Sequence, residues 1–158
     1  MNCSNTSSSS WKTTMKRSSL YGLGGIGKSS FVREYLTNHC SEYDAILYLH
    51  VGKNPEKLLI SDEAVRLNTV EKRKEESAEE YLSRKLKALR KLSAEQNIVV
   101  VLDNYSPTYI EKTSAFFDLG WKILLVSRDE LPEGFCPSLR LCELIAQDMT
   151  RLFIYYSF

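Results

Sequence analysis

The chain has 158 residues, the usual size of one domain, and 43% of them are hydrophobic. That is enough for a real core and excludes disorder over the whole chain. Lys and Arg total 21 against 20 Asp and Glu, so the net charge of +1 argues against bulk electrostatic capture of nucleic acid or membrane.

Residues 1–14 are rich in Ser, Thr and Asn and read as a flexible leader to one folded domain over 15–158. Met1-Asn2-Cys3 offers neither a myristoylation glycine nor the apolar core of a signal peptide. The longest clean apolar run, Ile98 to Leu102, is far short of a spanning helix. Cys3, Cys40, Cys136 and Cys142 are scattered, which fits reduced thiols and a cytoplasmic location. His39 and His50 have no companion at zinc-ligand spacing.

A first strand ends at Leu20-Tyr21 and is unusually polar upstream. A glycine-rich loop follows, then a helix with Phe31, Val32, Tyr35 and Leu36 on one face. Ala45 to Val51 predicts a second strand, and 53–75 is an ambiguous charged excursion. Ser77 with Glu80 forms a capping-box signature opening a helix to about Leu92, whose Leu82, Leu86 and Leu89 make a buried stripe. Acids at its start (Glu76, Glu79, Glu80) and bases at its end (Lys87, Arg90, Lys91) suit the helix dipole. Ile98 to Leu102 is a strand buried on both faces. Ser106-Pro107 then opens a helix that Gly120 ends. Lys122 to Val126 is a fourth strand and Leu139 to Leu144 a fifth, before a last helix through Met149, Leu152, Phe153 and Tyr156. Buried strands alternating with helices define an α/β domain with a parallel sheet.

The informative segment is Gly22-Leu23-Gly24-Gly25-Ile26-Gly27-Lys28-Ser29, which fits G-x-x-x-x-G-K-[ST]. Its glycines let successive backbone N–H groups face one anion at a helix N-terminus. Lys28 would meet the β- and γ-phosphates of a nucleotide, the Ser29 hydroxyl would hold Mg²⁺, and Ser30 completes the candidate binding stretch. The same glycines satisfy G-x-G-x-x-G, but a dinucleotide site wants an acid at the end of the second strand. That strand ends in His50-Val51-Gly52 instead. Asp103, after four apolar residues, supplies the second Mg²⁺ partner. Arg128 follows the fourth strand, where a guanidinium would sense the γ-phosphate; its other reading is a surface salt bridge to Asp129 or Glu130.

Tyr21 to Ser29 resembles the P-loop of the STAND-type NTPases, particularly the NB-ARC and NACHT families with their doubled central glycine. Val100 to Asn104 resembles their Walker B strand, and Trp121 to Asp129 their next block, whose Arg senses the nucleotide. Ser138 to Phe158 resembles the segment after it, with the pair Leu152-Phe153. The resemblance runs from about Leu20 to the end, with 53–96 matched in layout only. It implies a three-layer P-loop NTPase with a five-stranded parallel sheet of order 5-1-4-3-2 and helices on both faces. It also makes Lys28, Asp103 and Arg128 the residues that carry any catalysis.

The departures are informative. Nothing in 1–19 resembles the upstream Gly-Arg element of the adenine pocket, and the Gly-Leu-Pro and Met-His-Asp motifs are absent. The chain reads as an incomplete STAND module. Asn104 stands where many members carry a second acid. The expected function is an ATP/ADP-operated switch with slow or absent hydrolysis in a signalling protein, with protein partners or self-association through further domains. A conventional Mg-dependent ATPase or phosphotransferase, and a non-binding interaction module, are the alternatives. No Asn-Lys-x-Asp motif points to GTP.

Overall fold

The computed structural model describes residues 16–52, 55, 58 and 70–142. Five strands are hydrogen-bonded into one sheet: β1 (Arg17–Tyr21), β2 (Ala45–His50), β3 (Ile98–Tyr105), β4 (Lys122–Ser127) and β5 (Ser138–Arg140). Their order is β2-β3-β4-β1-β5 and every pairing is parallel. That is the expected 5-1-4-3-2 order, with the arginine strand β4 beside the P-loop strand β1.

Pleating sends alternate residues of β3 to opposite faces and so builds two cores. Val99 and Val101 pack with Leu20, Val126 and the Val32 and Leu36 side chains of helix α1 (Lys28–Asn38). Val100 and Leu102 pack with Leu47, Leu49, Leu125 and the Leu89 side chain of helix α2 (Ala78–Glu95). Polar β1 is tolerated because Ser19, buried in the sheet, donates its hydroxyl to that of Ser138 at 2.7 Å.

The buried row of α1 is Lys28, Val32 and Leu36, a straight i, i+4 line. Phe31 lies one residue off that line and stays 47% exposed, so it does not share the core face assigned to it; Tyr35 is half-buried. On α2 the capping box forms as expected, with Glu80 N–H donating to Ser77 Oγ and Ser77 N–H to Glu80 Oε2. Its buried row, however, is Tyr81, Lys85 and Leu89, with Leu82 and Leu86 half-buried beside it. The stem of Lys85 fills core volume while its ammonium lies 5.6 Å from the Tyr81 ring centroid. The helix also runs to Glu95, so its last turn carries no base, and Lys87, Arg90 and Lys91 sit further from the terminus than the dipole argument requires.

Ser106 caps the segment after β3 and Pro107 occupies its first position. A continuous helix does not follow. Two 3₁₀ turns (Pro107–Tyr109, Glu111–Thr113) lead into the single α-turn α3 (Ser114–Phe117). Buried Thr113 explains the break: its hydroxyl donates to Tyr109 O at 2.8 Å and pairs with the Tyr105 hydroxyl, drawing the chain off regular helix geometry. β5 is shorter and earlier than Leu139–Leu144. The leader and the last helix lie outside the described residues, as does most of 53–69. No helix among the described residues is long and apolar enough to cross a membrane.

Candidate nucleotide site

The loop between β1 and α1 lies at the carboxyl edge of the sheet, where an open α/β fold leaves a crevice. Gly22 is fixed there by a close approach. A Cβ on it would sit 2.5 Å from the Leu141 carbonyl oxygen beyond β5. Gly27 is the N-cap of α1, left-handed at φ 95 and with no side chain to bond the first helical N–H groups. Those groups remain directed at the crevice. Between them Leu23 is exposed, Gly24 and Gly25 form the turn, and half-buried Ile26 donates its N–H to Leu23 O at 3.4 Å.

Lys28 turns back over this loop. Its ammonium donates to Gly22 O at 2.7 Å and to Leu23 O at 2.8 Å, and the residue is 9% exposed. Burial, and secondarily the Arg128 charge, lower its pKa, while Asp103 opposes the shift. Arg128 leaves the end of β4 and is exposed, with its guanidinium 3.9 Å from the Cβ position of Gly24. Two cations therefore flank one turn of the P-loop.

Asp103 lies on β3 beside that turn. It accepts from Ser29 Oγ at 3.1 Å and from Asn104 N–H at 2.9 Å on Oδ1, and from the Tyr48 hydroxyl at 2.8 Å on Oδ2. Asp103 is not the last residue of its strand, since β3 continues to Tyr105 across a register shift. Asn104 absorbs the shift at φ 59, a conformation Asn tolerates better than most residues, and its amide donates to Val51 O at 3.3 Å. Ser30 is exposed on the first turn of α1. Sequence reasoning missed Tyr48. The available signal was alternation: Tyr48 pairs with Val101, which shares a face of the sheet with Asp103.

These residues suit the groups the sequence implied. A cation, backbone N–H donors and a guanidinium around glycines with open space beyond Gly25 and Gly27 match a polyphosphate. A hydroxyl in contact with a carboxylate is an oxygen donor set for Mg²⁺, which keeps several waters and shares phosphate oxygens. Among the described residues no three His, Cys, Asp or Glu gather as a protein metal cage.

Sheet order, crevice and loop together define a P-loop NTPase α/β fold. Solved structures agree on the fold. The chain is similar to Cdc6p from Pyrobaculum aerophilum, with TM-score 0.62 and 17% identity over 87% of this chain and 42% of that one. It is also similar to a chain of the Drosophila ORC bound to DNA, with TM-score 0.54 and 14% identity over 90% of this chain and 41% of that one. The chain thus spans about two-fifths of each of these structures. No curated protein sequence matches it. The NB-ARC domain model matches residues 10–133, and the chain belongs to that family.

Proposed function

We propose that this chain is an ATP/ADP-binding switch module that turns nucleotide over slowly, within a cytoplasmic signalling protein. One observation carries the reading: Lys28, Arg128 and the Ser29–Asp103 pair converge on the P-loop. The first-turn N–H groups of α1 and Lys28 would hold the β- and γ-phosphates, and Arg128 would contact the γ-phosphate. Ser29 and Asp103 would hold Mg²⁺, which supplies charge neutralisation at the phosphates when bound. NB-ARC membership supports nucleotide occupancy as the regulated quantity and protein association as the output.

Slow turnover follows from what orients the attacking water. A positioned base contributes about 10²–10⁴-fold, and the residue after Asp103 is an amide that takes no proton at neutral pH. The Asn104 amide is, moreover, engaged with the Val51 carbonyl. Titration with ATP and ADP, with and without Mg²⁺, followed by single-turnover hydrolysis, tests the reading. Mg²⁺-dependent binding with turnover well under 1 s⁻¹ is the expected outcome. Failure to bind either nucleotide refutes the binding reading, and turnover on the order of 1 s⁻¹ or faster marks a conventional ATPase.

A further inference from the structure

The Asp103 carboxylate offers about four acceptor directions. Three are taken in this structure: two on Oδ1, by Ser29 and Asn104, and one on Oδ2, by the Tyr48 hydroxyl. One direction remains, on the oxygen that Tyr48 holds. We infer that Tyr48 is a positioning residue for the metal shell, fixing the Asp103 carboxylate so that its remaining acceptor direction faces a Mg²⁺-bound water. The inference rests on the nucleotide-binding reading above and assigns that site a residue outside its P-loop and Walker B motifs.

Tyr48 is itself held by its strand and by α1. Its strand register, Tyr48 opposite Val101, places it on the α1 face of the sheet, where it packs against the smaller core. The Arg33 guanidinium lies 5.1 Å from its ring centroid. Ser29 and Arg33 are four residues apart on α1, on one face of the helix. The helix therefore touches the Tyr48–Asp103 pair at both ends, Ser29 at the carboxylate and Arg33 at the ring. Partners that orient metal-binding groups in this way matter to metal affinity without touching the metal.

A ring that only filled the core would tolerate loss of its oxygen, so Tyr48→Phe separates the two roles. The readout is ATP affinity measured by calorimetry in EDTA and again in excess Mg²⁺, on the full chain. Tyr48→Phe is expected to leave the EDTA affinity within about twofold and to reduce the Mg²⁺ enhancement about tenfold. In an Asp103→Asn background the same substitution is expected to change the enhancement no further, because Tyr48 acts through that carboxylate. An undiminished enhancement in Tyr48→Phe, an equal loss in EDTA, or a further loss in the Asp103→Asn background overturns the inference. Wild-type protein that binds ATP without any Mg²⁺ enhancement overturns it as well, while leaving nucleotide binding standing. Wild-type protein that binds no ATP removes both.

Discussion

Replacing Lys28 by methionine keeps most of the stem and deletes the ammonium. Two of its three N–H bonds are already spent on Gly22 O and Leu23 O in the free protein. Bonds from a charged donor contribute about 1.5–3 kcal/mol. Relief from burying a cation offsets part of that, since burial is the main cause of the lowered Lys28 pKa. Two such bonds sum to about 3–6 kcal/mol before that offset, so Lys28→Met should cost the empty protein clearly less, about 1–2 kcal/mol. Binding is affected more. A unit charge pair at about 4 Å in an effective dielectric near 20 is worth about 4 kcal/mol. Desolvation takes back part of this and leaves about 2–3 kcal/mol, or roughly 30- to 150-fold weaker ATP binding. ADP, which lacks the γ-phosphate, should lose about fivefold. Calorimetry with each nucleotide in Mg²⁺, beside urea unfolding of both proteins, measures the two effects separately. ATP affinity unchanged within about twofold in a folded variant would refute the placement of phosphate beneath Lys28. A stability loss above about 3 kcal/mol would show instead that the ammonium is chiefly a pin for the loop.

Three further outcomes are expected. Arg128→Ala should weaken ATP about tenfold or more and ADP under about threefold; equal losses would return Arg128 to a surface role. Gly22→Ala must push its Cβ away from the Leu141 carbonyl and disturb the adjoining 2.8 Å bond from Leu141 N–H to Tyr21 O, costing about 2–4 kcal/mol. Gly25→Ala, with no atom within 4 Å, should cost only the penalty of its φ of 80, about 1–2 kcal/mol; matching urea midpoints for the two variants would refute the distinction. Glu76 is held at a pKa of about 2 by its bond from Arg84 and then by the Arg73 N–H, against an ordinary 4.5. A depressed carboxylate stabilises the fold above its unfolded pKa and loses that effect as pH falls through the folded one. Glu76→Gln should therefore melt below wild type at pH 7, with the gap closing between pH 4.5 and 2. A gap that stays constant across that window would be the contrary result.

The P-loop and the alternation of buried strands with helices were legible because each rests on strong local signals, whereas the strand order came only with the family resemblance. Val99 to Leu102 is short, apolar and rich in β-branched residues, which marks a strand covered on both faces, and the loop's glycines are spaced for one backbone curl. Misread details share a different cause. Helical spacing placed Phe31 with Val32, Tyr35 and Leu36, and a leucine stripe was assigned to α2, whereas burial follows the narrower line of residues that faces the sheet, and the stem of Lys85 can occupy such a line. The broken segment after Ser106 depends on Thr113 finding Tyr105, a contact across turns that periodicity does not encode. Tyr48 escaped notice for a similar reason. Its role is set by an oxygen meeting Asp103 from a neighbouring strand, and a motif search along the chain sees only sequence neighbours.

The position of β1 within the sheet has a consequence for how the chain is made. Arg17 lies opposite Ile123 and Ser19 opposite Ser138, so the strand that carries the P-loop emerges from the ribosome long before either partner. β2, β3 and β4 can associate as they appear, but β1 must close a longer loop and wait for β4 and β5. Gly22 stays without its neighbour until Leu141 arrives. The P-loop is thus among the last parts of the described sheet to take shape during synthesis. A ligand that binds it would favour chains extended past β5 over shorter nascent ones and hold the β1–β5 pair in place.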